Sequence, residues 1–247
     1  INNGIINGTG TGAVGMYTDS NTGVINNTAL IDLQGDKSIG IYAMGSTQNI
    51  INSGTIKLGN SSLMNDPSIG IYTNNTTDTI INTGNIEAGS RSLGIYSLGT
   101  QVDHVSGTIK AGSEGTGIYK DTGLLRIHSG AVIEALAGEA AGLYGINGAS
   151  LNNSGAITVG NGSTGIYGSG ATANIINTGT ITIGNDSQGI YLKDGQTADN
   201  SGVITSSGSK AVGMYTDNVS NPILNNNLIN LTGDKSIGIY AAGGVKI

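Results

Sequence analysis

The sequence of 247 residues contains no Cys, no Trp and no Phe, only two Pro, and only 11% charged residues. Each shortage excludes something. Without cysteine there is no disulfide framework, no thiolate metal site and no cysteine nucleophile. Ten scattered Lys and Arg stand against 16 Asp and Glu, a net charge of −6, which leaves no basic surface for nucleic acid or an anionic membrane. No apolar run reaches the roughly 18 residues a spanning helix needs. No basic stretch leads into an apolar core at the start, so no signal peptide is expected within these residues.

What is abundant is Gly, at 43 positions, and Asn, at 28. Leu, Ile and Val together supply 59 residues, which lifts the chain above the composition of disordered proteins. The ten tyrosines reveal the order beneath this composition. Each follows a Gly-aliphatic pair, at Tyr17, Tyr42, Tyr72, Tyr96, Tyr119, Tyr144, Tyr167, Tyr191, Tyr215 and Tyr240. The intervals are 25, 30, 24, 23, 25, 23, 24, 24 and 25 residues.

A second motif, Asn-Ser/Thr-Gly-x-Ile, lies between the tyrosines. Its anchors are Gly4, Ala29, Gly54, Gly84, Gly107, Gly130, Gly155, Gly179, Gly202 and Asn227. Two residues on stand Ile6, Ile31, Ile56, Ile86, Ile109, Val132, Ile157, Ile181, Ile204 and Ile229. Two residues before the anchor is Asn, except at Val105 and His128.

Gly and β-branched residues recur too often for helical repeats, and the leucine-rich signature is missing. The period predicts an all-β fold, a right-handed parallel β-helix of about ten rungs with about 24 residues each, built from two or three short strands per rung. Period-two alternation predicts the aliphatic residue before each Tyr, and the residue three before it, in the core. Tyr, the Gly two before it and the small residue four before it should face outward, the Gly leaving room for the ring; the alternative is that Tyr turns inward and fills a corner. The Asn-Ser/Thr-Gly turn should stack its Asn amides into a ladder along the axis.

Residues 13–45 match residues 211–243 at an offset of 198, with 22 of 33 identical. The chain therefore reads as one continuous solenoid over 1–247, slightly more than one super-repeat of a longer array. Both ends stop within the pattern, so a fragment is expected.

The Asn-x-Gly-x-Ile and Ser-x-Gly-Ile-Tyr rungs resemble the passenger regions of very large fusobacterial autotransporter adhesins (type V secretion), along the whole chain. The resemblance implies a secreted passenger on the bacterial surface, tethered to the outer membrane through a C-terminal barrel outside this chain. It further implies adhesion to a host-cell or bacterial receptor, protein or glycan. The segment itself is expected to be a monomeric rod without membrane contact, a stalk that presents or contributes a binding surface. The family supplies no site residue that matches a motif here.

Other chemistry is weighed against this reading. A polysaccharide-acting β-helix enzyme needs acids and bases clustered in a groove, and the near-constant intervals leave little loop to build one. The polar row Asp32, Lys57, Glu87, Lys110 alternates in sign and reads as an outward charge ladder rather than a catalytic row. The Thr158, Thr182, Thr205 row hints at an ice-binding solenoid, a third reading. His104 and His128 sit in different registers to their anchors and so should face opposite ways, which with no third ligand argues against a metal pair. Gly10-Thr11-Gly12-Ala13-Val14-Gly15 matches a dinucleotide fingerprint but leads into a strand, where that motif requires a helix. No catalytic residue, metal or cofactor is expected. The candidate binding residues are Leu63, Met64, Asn65, Asp66 and Pro67, in a short insertion near 61–67 within the 30-residue interval. The tyrosine row is a further binding surface to consider, although its presence in every rung suits stacking better.

Overall fold

The computed structural model describes residues 1–19, 23–45, 49–74, 79–217 and 221–243, and these are all β with no helix among them. Strands that each carry a Gly-aliphatic-Tyr triplet, from Val14–Thr18 to Ile237–Ala242, stack in parallel as one 10-stranded sheet. The remaining strands form a 17-stranded sheet made of two stacks. One stack pairs Ile25–Asn27 with Ile50–Asn52, and the other pairs Leu30–Leu33 with Thr55–Leu58. They join because Gln101–Ala111 and Leu124–Ala135 run through the corner without a break. A full rung thus gives one strand to each of three walls, and the chain is a parallel β-solenoid of about nine turns with ~24 residues per turn.

The core consists of columns that run along the axis. Ile31, Ile56, Ile86, Ile109, Ile157, Ile181 and Ile204 are all inaccessible to solvent, and Ile41, Ile71, Ile95, Ile118, Leu143, Ile166, Ile190 and Met214 face them from the tyrosine wall. The third wall adds Ile50, Ile80, Val102, Leu125, Leu151 and Ile175. Full burial of one such side chain is worth about 1.5–3 kcal/mol, so the columns set the register of the stack.

Tyrosines pair with tyrosines in every step of the outer wall, with ring centroids 4.5–5.5 Å apart. They lie outside, as expected, half-buried from Tyr42 to Tyr215 and exposed at Tyr17 and Tyr240. Seven of the nine steps are stacked or tilted; Tyr191 turns edge-on to both neighbours, at 89° and 80°.

Three sequence expectations are corrected. Simple alternation fails along the tyrosine strand. The residue four before Tyr is buried, as at Ser38, Ser68, Ser92, Ser163 and Ser187. The residue three before is mostly half-buried and outward. The Gly two before Tyr points inward, not out. A Cβ on Gly40 would lie 2.6 Å from the Gly70 carbonyl oxygen and 2.6 Å from Ile56 Cγ2. Glycine is required there by the next rung's backbone and the core isoleucine, and the tyrosine ring has no part in it. Because a residue without Cβ sits inward beside the inward aliphatic, two adjacent positions share the core side.

The second and third corrections concern one corner. Ile109 pairs with Ile133 and Ile133 with Ile157, so Ile133 fills the core column and Val132 is half-buried beside it. The anchor of that rung is Ala131, not Gly130. Likewise Asn82 pairs with His104, His104 with Ile127 and Ile127 with Asn153. His104 and Ile127, not Val105 and His128, interrupt the asparagine column.

Candidate functional site

The asparagine corner is the most regular polar feature. Nδ2 of each Asn donates to Oδ1 of the next, at 2.8 Å from Asn2 to Asn27 and from Asn27 to Asn52, and 2.7 Å from Asn52 to Asn82. Beyond the interruption the chain resumes from Asn153 through Asn177 and Asn200 to Asn225, at 2.7–2.8 Å. The ladder satisfies buried amides in the interior, where an unpaired one would be costly. It is structural, and its interruption marks the unusual part of the molecule.

At that interruption the corner swells. Asn82 stands two residues before its anchor Gly84, His104 three before Gly107, Ile127 four before Ala131, and Asn153 two before Gly155. The extra residues form a β-bulge, marked by a register shift between His104 and Ser106. Bulges re-aim side chains and recur beside functional sites. His104 is fully buried. Its Nδ1 lies 3.0 Å from Asn82 Nδ2, and its Nε2 lies 3.2 Å from the Val132 carbonyl. An acceptor at Nδ1 and a proton on Nε2 complete both contacts. Burial lowers its pKa and holds it neutral.

Outside the same corner three charged or titratable side chains converge. Arg126 Nη1 donates to Asp103 Oδ1 at 3.3 Å, and His128 Nε2 reaches the same oxygen at 3.2 Å. Gln101 Nε2 donates to Asp103 Oδ2 at 2.8 Å. Asp103 is largely covered, at 14% side-chain exposure, whereas Arg126 and His128 remain open at 41% and 42%. His104 thus faces inward and His128 outward. The opposite orientation expected from sequence holds, but the bulge produces it and the anchor count does not, since His128 also stands three residues before its true anchor. Among the described residues no three His, Cys, Asp or Glu side chains converge as a metal site.

The candidate residues of the insertion lie on the surface. Leu63 and Met64 are 51% and 64% exposed. Asp66 pairs with Lys37 at 2.6 Å, Ser62 hydrogen-bonds Asp36, and the Ser61 hydroxyl accepts from the Ser68 backbone at 2.6 Å. Asn65 is exposed and Pro67 half-buried. Met64 reaches along the rod to a shallow cavity that Glu114, Glu139, Tyr144 and Tyr167 also line. The insertion is therefore pinned at both ends and bare in the middle, and it does not meet the Asp103 cluster.

The outward charge row is present, with Lys57 to Glu87 at 3.5 Å, and continues one rung further than its first four members, with Lys110 to Glu134 at 3.6 Å. A second charged column escapes sequence reading. Lys37, Arg91, Glu114, Glu139, Asp186, Lys210 and Lys235 each stand five residues before a Tyr and share a left-handed backbone, with φ between 51° and 60°. Arg91 and Glu114 are paired by two hydrogen bonds, at 3.1 and 3.2 Å, and Lys210 meets Asp186 at 3.1 Å. Residue type varies along this column, and only the turn conformation unites it. The constant spacing to Tyr was the available signal.

Lys120 is the other departure from the repeat. It is fully buried beside its tyrosine, and Nζ donates to the Thr100 carbonyl at 2.6 Å and to Ser97 Oγ at 3.1 Å. Burial pushes its pKa down to about 8. Burial also raises several tyrosines, Tyr119 to about 12. Comparison with known protein families, characterised proteins and solved structures returns no match.

Proposed function

We propose that this chain is a stalk segment of the surface-displayed passenger of an autotransporter adhesin. It holds a binding region away from the cell and contributes binding surface of its own. The observation that supports this most is the unbroken register. Nine successive tyrosine steps keep the same strand pairing, and the aliphatic columns persist beneath them. Such a stack is stiff, because each rung is fixed to both neighbours by backbone hydrogen bonds and by interdigitated core residues. Low charge and absent cysteine suit passage through a narrow pore as an extended chain. The test is to label intact cells that make the protein with antibodies to this segment and to follow adhesion. Surface labelling, with adhesion that weakens or shortens in reach when residues equivalent to whole rungs are removed, is expected. Labelling only after permeabilisation would overturn the reading.

A second reading, cleavage of a polysaccharide, draws on one observation, the hydrogen-bonded Asp103 and His128 beside Arg126. Cleavage of a glycan by the purified chain, abolished in Asp103→Asn, is the result that would favour it over a stalk.

A further inference from the structure

In a solenoid of near-identical rungs, a cluster of departures is informative. The bulge, the break in the asparagine ladder, the only half-covered arginine not paired through two of its nitrogens, and the surface histidine all lie in two neighbouring rungs. The sequence holds two arginines. Arg91 is committed to Glu114 by Nε and Nη2, whereas among the described residues Arg126 donates only through Nη1, to Asp103. Guanidinium carries five N–H donors in a planar fork, so Arg126 retains an edge suited to a carboxylate. Asp103 fixes it from the preceding rung without consuming that edge.

On the other side of Arg126 the wall is free of charge for two rungs. Arg126 pairs with Asn152, Asn152 with Ile176, and Leu124 in parallel with Ser150 and Asn174. Between these two rows runs a trough of about 360 Å³ lined by Leu124, Ser150, Asn152, Asn174, Ile176 and Thr197. Ile176, 39% exposed, gives it an apolar patch, and amides and hydroxyls surround that patch. Asp199 stands one register step beyond Ile176, and its Oδ1 already accepts from Ser201 and Asn226 at 2.9 and 3.1 Å. Arg126 and Asp199 do not line the trough themselves, but along the row of Asn152 and Ile176 a cation flanks it on one side and a carboxylate on the other.

We propose that Arg126, His128 and this trough form a binding site for a sugar that bears a carboxylate, a uronic acid or a sialic acid unit. The guanidinium edge holds the carboxylate, with the His128 ring beside it. The hydroxyl-bearing ring lies over Ile176 within reach of Asn152, Asn174 and Ser150, and Asp199 opposes the reverse orientation. The proposal deepens the adhesive part of the proposed function, on which it rests only for its biological setting.

The test is titration calorimetry of the purified chain with trigalacturonate, with sialyllactose and with neutral lactose. At least one acidic sugar should bind and lactose should not, and the arm that binds distinguishes the two sources of carboxylate. Arg126→Gln and Arg126→Lys should each weaken binding about tenfold or more, since lysine keeps the charge but loses the fork. Asn152→Ala should weaken it by a smaller factor, and Lys210→Ala should leave it unchanged. Circular dichroism melts establish that each variant is folded. If Arg126→Gln fails to fold, Arg126→Lys and Asn152→Ala carry the test. Absence of binding to both acidic sugars, equal binding of lactose, or full affinity in Arg126→Lys and Asn152→Ala overturns the proposal. Binding is measured on isolated protein, so the site stands or falls separately from where the cell places the chain.

Discussion

Lys120 puts an ammonium into a column whose neighbours are Ser97 on one side and Gly145 on the other. Its pKa falls from 10.5 to about 8 because the charge is desolvated, and at about 1.4 kcal/mol per unit this corresponds to a cost of roughly 3 kcal/mol for the charged form. Below pH 8 both folded and unfolded chains hold the proton and the whole cost is present. Between 8 and 10.5 only the unfolded chain holds it, so stability rises with pH there. Lys120→Met is expected to stabilise the rod by about 1–3 kcal/mol at neutral pH and to remove the gain between pH 7 and about pH 9. Urea denaturation at both pH values reads both effects, and a less stable variant would refute this account. His104 acts with the same sign of slope at lower pH. Its folded pKa lies below 6.5, so its contribution is present above that value and is lost as pH falls through it, when the unfolded chain binds the proton first. The wild type should therefore lose stability from about pH 7 to pH 5, and His104→Asn, which offers an uncharged amide to Asn82, should show a flatter melting-temperature profile across that range. An unchanged slope would place the acid sensitivity elsewhere.

At the scale of the strand, glycine does two different jobs that composition cannot separate. Gly142 lies where a Cβ would be 2.6 Å from the Gly165 carbonyl and 2.8 Å from Ile157 Cγ2. Gly130, past the bulge, meets nothing closer than 3.5 Å. Gly142→Ala should thus cost about 1–3 kcal/mol in denaturant titrations, as overpacked sites do, while Gly130→Ala should cost little. Equal effects would mean that the stack yields more easily than its geometry indicates. The same contrast explains what the sequence revealed. Wherever a column keeps one residue type at constant spacing, as with Tyr, the core Ile and the ladder Asn, its place in the rung was legible. The corner of His104 and Ile127 was not, because a count without gaps absorbs inserted residues silently and puts Gly130 in the anchor's place. The inward Gly before Tyr was misassigned because period two presumes a Cβ on every residue. The Asp103, Arg126 and His128 cluster stayed hidden for a related reason. Its members lie 23 and 25 residues apart, and the bulge alone decides that His128 turns outward to meet Asp103.

Over the whole molecule, the exact stacking of equivalent residues makes length adjustable in whole rungs only. Deleting residues 155–178 would join Ser154 to Gly179, which restores Asn-Ser-Gly-Thr-Ile across the cut and brings Asn153 into line with Asn200 in the ladder. Each rung contacts only its neighbours, so the shortened rod loses one set of intrinsic and interface terms and closes again around the same columns. It should remain folded and β-rich by circular dichroism. Its urea m-value should drop by about a tenth, since m follows the surface exposed on unfolding. Deleting only residues 155–166 removes half a rung and sets the tyrosine wall against the wrong partners. Core positions then face water, and the cooperative transition should vanish or move to much lower urea. If both deletions melt alike, the rung is not the folding unit. A solenoid built in such units can lengthen by duplication without redesign of any contact, and the match of residues 13–45 to residues 211–243 at an offset of 198 is what that history would leave in the sequence.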